Sequence, residues 1–286
     1  MLVSGCPRRA GAATIQPLMA QKPRFEDVTE TTGVPLSREG AEMMVTRYTL
    51  ARELATGKRV LELGCGAGQG LGLLSARASS LVGGDYSRAL LDSARVHYGS
   101  RVPLVRLSAE ALPFNPGSFD LVIFFEASYY VPDMTAALQE IARILSPGGR
   151  VVFANANPER PDFIRSPHSF AYHTADEFRA AMSRLGFAVT VEAAFEVQPG
   201  ARGARKLGAE ALSWARRVLE RLGLVPRTLQ GRARLKRLIY GRLLRTPAEL
   251  PEGFAPTRRL HPVPPGPVTI YKVIYVKGTK PLSQGR

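Results

Sequence analysis

The stretch Val60-Leu61-Glu62-Leu63-Gly64-Cys65-Gly66-Ala67-Gly68-Gln69-Gly70 constrains the fold more than any other, because an apolar strand runs straight into a glycine-rich turn. Such a turn is where a helix begins. Glycines remove the Cβ atoms that would hold a ligand off the backbone, and they accept the positive φ angles of a tight strand-to-helix turn. A second short apolar segment, Leu81-Val82-Gly83-Gly84, ends on Asp85, 85 − 64 = 21 positions after the first turn glycine. That spacing suits a carboxylate that grips a ribose.

Glu62 narrows the class of ligand. A carboxylate inside an apolar strand is unwelcome unless something cationic pairs with it. S-adenosylmethionine brings a sulfonium and an ammonium group, whereas a dinucleotide brings a pyrophosphate that an adjacent carboxylate would repel. Three further segments follow in order: Ser108-Ala109-Glu110-Ala111-Leu112-Pro113-Phe114, Phe119-Asp120-Leu121-Val122-Ile123-Phe124-Phe125-Glu126 and Leu145-Ser146-Pro147-Gly148-Gly149-Arg150. With these four motifs the chain resembles the class I S-adenosylmethionine-dependent methyltransferases, of the small-molecule type related to the ubiquinone and menaquinone methyltransferases, over about residues 41 to 190. The resemblance implies an adenine-contacting segment at 108–114, a fourth strand at 119–126 and a turn into the fifth at 145–150. One departure is Ser108, where the family usually has an aspartate; Glu110 is the neighbour able to make that contact instead.

Alternating strands and helices agree with a parallel sheet joined by right-handed crossovers. Ser37 is placed to cap a helix to about Ala55, with Gly57 as its stop. Strand 59–63, helix 68–78, strand 81–84, helix 88–98 after Ser87, strand 103–107 and strand 119–125 follow. Asp133 then caps a helix to Leu145, a strand covers 150–155, and Thr174 with Glu177 makes a capping box. Residues 187–197 and 269–277 alternate as paired strands do. The implied fold is α/β: a Rossmann-like, seven-stranded, mostly parallel sheet with helices on both faces, its last strand antiparallel, and a helical insertion between the last two strands.

The chain divides accordingly into a flexible leader (1–36), the methyltransferase core (37–198), a basic helical lid or insertion (199–267) and the last core strand and tail (268–286). From 199 to 262 there are 15 Lys and Arg against 4 Glu, so this segment supplies 15 − 4 = +11 of the formal +15 of the chain. Leu207, Leu212, Ala215, Leu219 and Leu222 line one apolar helix face and Leu235, Leu238, Ile239 and Leu243 a second; a proline-rich irregular stretch follows from Pro247. Basic amphipathic helices settle on anionic membranes or attract anionic substrates, although the same pattern also describes a solvated surface. The leader carries Arg8, Arg9, Lys22 and Arg24 without an apolar core, so a disordered start, or initiation at Met19, fits better than a targeting signal.

At 286 residues and 45% hydrophobic, the chain can bury a sizeable core. No apolar run approaches the ~20 residues that span a bilayer. Two separated cysteines, Cys6 and Cys65, argue against a disulfide and for a reducing compartment, so a cytoplasmic protein with peripheral membrane affinity is expected. Four scattered histidines show no metal-ligand spacing.

Cofactor contacts are expected from Glu62, Gly64, Gly66, Gly68, Asp85, Tyr86, Ala109 and Glu110. Catalytic candidates cluster after the fourth strand and before the fifth helix: Glu126 as ammonium partner or base, His168 as base, Tyr129 and Tyr130 as walls of an acceptor pocket, with His173 reading as structural. Methyl transfer to the oxygen, nitrogen or carbon of a small-molecule acceptor, anionic or lipid-like, is the favoured activity, with oxygen narrowly preferred. The fourth strand lacks the Asn/Asp-Pro-Pro-Tyr pattern of amino-methylating enzymes and the cysteine of cytosine C5 methylation. An RNA or protein methyltransferase using the basic insertion is the main rival, weakened by the insertion's few aromatics. A non-catalytic membrane- or partner-binding protein is the second. Nucleic acid is therefore not the expected partner, and oligomeric state stays open.

Overall fold

A computed structural model describes residues 31–166, 168–197 and 243–282. In chain order the elements are β1 (Pro35–Leu36), α1 (Arg38–Leu54), β2 (Arg59–Leu63), α2 (Leu71–Ser75), β3 (Ser80–Asp85), α3 (Arg88–Tyr98), β4 (Leu104–Arg106), β5 (Phe119–Phe125), α4 (Met134–Ile144), β6 (Leu145–Ala156), α5 (Ala175–Arg184), β7 (Ala188–Glu196), β8 (Leu244–Arg245), β9 (His261–Pro262) and β10 (Tyr271–Thr279). The main sheet has the order β4-β3-β2-β5-β6-β10-β7-β9. Its first five strands pair in parallel, and β10 runs antiparallel between β6 and β7. The chain moves outward from β2 to β4, then restarts beside β2 with β5. That reversal opens a crevice at the carboxyl ends of β2 and β5, where open parallel sheets bind ligands.

Caps and patterning explain the helices. Ser37, Ser87 and Asp133 accept backbone N–H bonds from the first turns of α1, α3 and α4, and Thr174 and Glu177 complete the capping box of α5. Along β2, side chains alternate between two cores. Val60 faces α1, α2 and α3 together with Met44, Tyr48 and Tyr98. Leu61 and Leu63 face α4 and α5 with Leu138, Ile141 and Phe178. Each fully buried aliphatic or aromatic side chain stabilises by about 1.5–3 kcal/mol, so the sheet is held from both faces.

Four expectations need correction. The helix expected at 68–78 is only Leu71–Ser75, because Gly68 at φ +88° lies outside helical space and the glycine turn extends to Gly70. The strand expected at 150–155 starts at Leu145, which pairs with Phe119 ahead of an irregularity in register. The main sheet has eight strands rather than seven, since His261–Pro262 adds to the edge of β7. The end of the leader is tied down as well: β1 pairs with β8, and Thr246 N–H donates to the Val34 carbonyl at 3.0 Å.

The two basic helices expected within 199–242 lie outside the described residues. The part of the insertion that is described, 243–262, packs on the core. Arg258 bonds Glu42 of α1 at 2.6 and 2.8 Å, and Glu249 meets His97 at 2.8 Å and Arg101 at 3.3 Å.

Candidate functional site

A cavity of about 510 Å³ opens at the switch point, within the range of small-molecule sites. Gly64 and Gly66 floor it, both at positive φ (66° and 57°), and a Cβ on Gly64 would lie 2.5 Å from that of Ala127. Asp85, at the tip of β3, accepts from Gly66 N–H at 2.8 Å and from Ser87 N–H at 2.8 Å, while Ser87 itself caps α3. One carboxylate thus fixes the glycine turn and faces the cavity. Tyr86 is largely exposed at the same rim, and Ala109 and Glu110 follow β4. Glu110 is bound on both sides, by Ser108 Oγ at 3.2 Å and by Asp133 N–H at 2.8 Å.

Glu62 stands behind this surface. Period-two alternation turns it toward α1, where Tyr48 O–H donates to its Oε1 at 2.6 Å; its other oxygen is buried without a hydrogen-bond partner. Burial pushes the Glu62 carboxyl up to about 7, against the pull of the Tyr48 bond and the Arg47 charge, with Asp85 adding to the rise. Tyr48, rather than Glu62, lines the cavity. Gly68 does not line it either. A Cβ there would meet Tyr98 Cε2 at 2.8 Å, and Tyr98 O–H donates to the Gly68 carbonyl at 2.7 Å while accepting from Gly72 N–H at 3.1 Å. Gly68 therefore seats the turn on α3.

At the other end Glu126 follows β5 at φ +48°, a conformation that non-glycine residues adopt rarely. Its backbone is pinned by a bond to the Ala154 carbonyl (2.9 Å), and its Oε2 accepts from Tyr129 O–H at 3.0 Å. Burial first, then the Glu126 charge, raises the Tyr129 phenol well above its ordinary value, so it stays a neutral donor. Tyr129 stacks on Tyr172 at 4.3 Å, and Tyr130 bonds Ser166 at 2.6 Å. Cys65 also lines the cavity; burial, then the charges of Asp85 and Glu62, raise its thiol. The thiol therefore stays protonated at neutral pH.

Nine of the twelve residues expected from sequence thus line one cavity. His168, the expected base, does not: it lies exposed on its loop at φ +66°, and Phe170 reaches the cavity instead. His173 packs edge-on against Phe178. Sequence reasoning missed Arg47 and Tyr48 on α1, Gln69 after the glycine turn, Arg160 after β6 and Lys272 on β10. A charge on the apolar face of α1, and a lysine opening an otherwise buried strand, were the available signals for Arg47 and Lys272; Arg160 carried none. Gln69 Nε2 is buried, without a hydrogen-bond partner, in a residue of the cavity wall. A polar ligand resting on the glycine turn would satisfy it.

Comparisons with known proteins agree with this geometry. Residues 61–153 match the family described as "Methyltransferase domain". The chain is 39% identical over 106 residues to phthiotriol/phenolphthiotriol dimycocerosates methyltransferase 1 of Mycobacterium ulcerans, covering 36% of this chain and 39% of that protein. It is 34% identical over 133 residues to the fatty-acid O-methyltransferase of Mycolicibacterium smegmatis, covering 44% and 48%. The chain therefore spans less than half the length of these two relatives. In fold it is similar to the YcgJ protein from Bacillus subtilis, with TM-score 0.53 and 19% identity over 82% of this chain and 98% of that one. Residues 61–153 are therefore a methyltransferase domain.

Proposed function

We propose that this chain transfers the methyl group of S-adenosylmethionine to an oxygen of a small or lipid-like acceptor. The observation that carries the reading is the cavity itself: a glycine turn braced by Asp85 at one end, and Glu126 with Tyr129 and Tyr130 at the other, along one continuous wall. The names of the two curated relatives, one for a dimycocerosate lipid and one for a fatty acid, support a lipid-like acceptor and, in the second, methylation on oxygen.

The residues fit the cofactor. Asp85 would take the ribose hydroxyls, Tyr86, Ala109 and Glu110 the adenine, and the Gly64–Gly66 backbone with Gln69 the remaining polar edge. The bound sulfonium supplies an activated methyl group. The chain then has to align the acceptor and exclude water, a contribution worth roughly 7–11 kcal/mol in well-oriented reactions. Where the acceptor is a hydroxyl, Glu126 takes its proton, being the carboxylate at the acceptor end. Tyr129 holds that carboxylate in place.

Among the described residues no helix is long and apolar enough to cross a membrane. A cytoplasmic protein whose basic insertion docks on anionic lipid and closes over the acceptor is the arrangement we propose. Isothermal titration of the full chain with S-adenosylmethionine tests the reading. Micromolar binding is expected, weakened about tenfold or more in Asp85→Ala through loss of charge-assisted bonds. No binding by the wild-type chain removes the proposed function, and unchanged affinity in Asp85→Ala removes the ribose assignment.

A further inference from the structure

Among the described residues, the cavity wall carries six charged side chains, Arg47 on α1 and Glu126 after β5 among them. Asp85 and Glu110 follow β3 and β4 on one side of the switch point, whereas Arg160 follows β6 and Lys272 belongs to β10 on the other. Register fixes the second pair. Val273 lies opposite Ala156, and Asn157 N–H donates to the Lys272 carbonyl at 2.9 Å while its side chain bonds the Tyr271 carbonyl at 2.8 Å. Arg160 comes three residues later on that clamped segment. The two cations are therefore carried on neighbouring strand ends.

Both retain donor capacity. Arg160 Nε is buried without a hydrogen-bond partner; the Asp162 carboxylate, at 3.7 Å, forms an ion pair with it but lies beyond hydrogen-bond reach. Lys272 is 8% exposed and makes a 2.6 Å bond to Glu39, whose side chain is half exposed; an ammonium has three donors. A buried donor left without an acceptor is costly, and a ligand oxygen removes that cost. The contacts assigned to the cofactor lie over β2, β3 and β4, so they leave this end to the acceptor. Ala156, Val273 and the exposed rim residue Phe170 offer apolar surface beside the charge.

We propose that Arg160 and Lys272 form an anion subsite that binds a carboxylate of the acceptor, which makes the acceptor class acidic rather than neutral. The inference rests on the proposed function, since an acceptor exists only if methyl transfer is what the cavity performs. A carboxylate could also come from the methionine end of the cofactor, and the test separates the two sources.

The full chain, saturated with S-adenosylhomocysteine, is titrated calorimetrically with octanoate and 4-hydroxybenzoate and with their neutral counterparts octanol and 4-hydroxybenzyl alcohol. At least one acid is expected to bind about tenfold or more tighter than its counterpart. Arg160→Gln and Lys272→Met are each expected to erase that preference while leaving S-adenosylmethionine affinity unchanged. Should Lys272→Met fail to fold, Arg160→Gln alone decides. Equal binding of acids and neutral analogues, no binding of either acid, or loss of cofactor affinity in Arg160→Gln overturns the subsite. Wild-type chain that binds S-adenosylmethionine but neither acid leaves the proposed function standing, whereas failure to bind S-adenosylmethionine sinks both.

Discussion

The two ends of the cavity are built by different means. The nucleoside end is made from backbone and short side chains of adjoining segments: Gly64 and Gly66, the Asp85 tip, Tyr86 and the Ala109-Glu110 turn. The acceptor end is assembled from side chains on α1, after β5, after β6 and at the start of β10, so that Arg47 and Lys272 line one cavity although about two hundred residues of chain separate them. The first end is rigid because Asp85 and Tyr98 hold the turn backbone by hydrogen bonds and because Gly64 and Gly68 are packed too closely to admit a Cβ. The second owes its shape to how helices and strands pack. Perturbing the turn should therefore be punished by sterics and perturbing the acceptor end by chemistry.

The hardest test of the rigid end is Gly70→Ala. Gly70 has an ordinary φ of −93°, so strain plays no part, but a Cβ there would lie 1.8 Å from Tyr48 Cε1. Tyr48 has nowhere to go, because its hydroxyl is bound to Glu62 and its ring meets Phe125 edge-on at 5.6 Å. A loss of at least about 3 kcal/mol in urea unfolding is expected, at the upper end of overpacking effects. A loss under about 1 kcal/mol would show that Tyr48 swings freely and that the turn is not rigid.

The next effect is electrostatic. Burial raises Glu62 from 4.5 to about 7, so the folded chain holds a proton that the unfolded chain releases earlier. That contribution is complete below about pH 4.5 and is lost as pH rises through about 7. About 2.5 pH units separate the two values, which bounds the effect at about 3 kcal/mol. Glu62→Gln, an isostere that cannot ionise, should match the wild type near pH 4.5 and exceed it in stability at pH 8. Parallel stability curves across that range would mean that Glu62 ionises in the folded chain as it does in solution, and that a cation already meets it.

What could be read from the sequence divides along the same line. Ser37, Ser87, Asp133 and the Thr174–Glu177 box fix helix starts within three or four residues of themselves, and all four start where expected. The bounds of β2 and β5 also follow from their own apolar runs. The partner of Glu62 was invisible, because Tyr48 reaches it only once the face of β2 carrying Val60 is known to pack on α1. His168 failed for the complementary reason. Its chemistry suited a base, but the path of the loop presents Phe170 to the cavity and His168 to solvent.

The smallest expected effect concerns the contact that joins the glycine turn to α3. Tyr98 reaches up from α3, giving its proton to the Gly68 carbonyl and accepting from Gly72 N–H, so a single hydroxyl joins the turn to the start of α2. Tyr98→Phe keeps the buried ring and deletes only that hydroxyl, taking the acceptor from Gly72 N–H and leaving the Gly68 carbonyl with its bond from Leu71 N–H alone. The stability loss should be about 1–2 kcal/mol. A purely structural contact would stop there. If the turn is the cofactor's floor, the same variant should also weaken S-adenosylmethionine binding severalfold in calorimetry while leaving acid binding to the S-adenosylhomocysteine-loaded chain unchanged. Equal weakening of both ligands would show that the two ends of the cavity form one mechanical unit, and the contrast between them would fall.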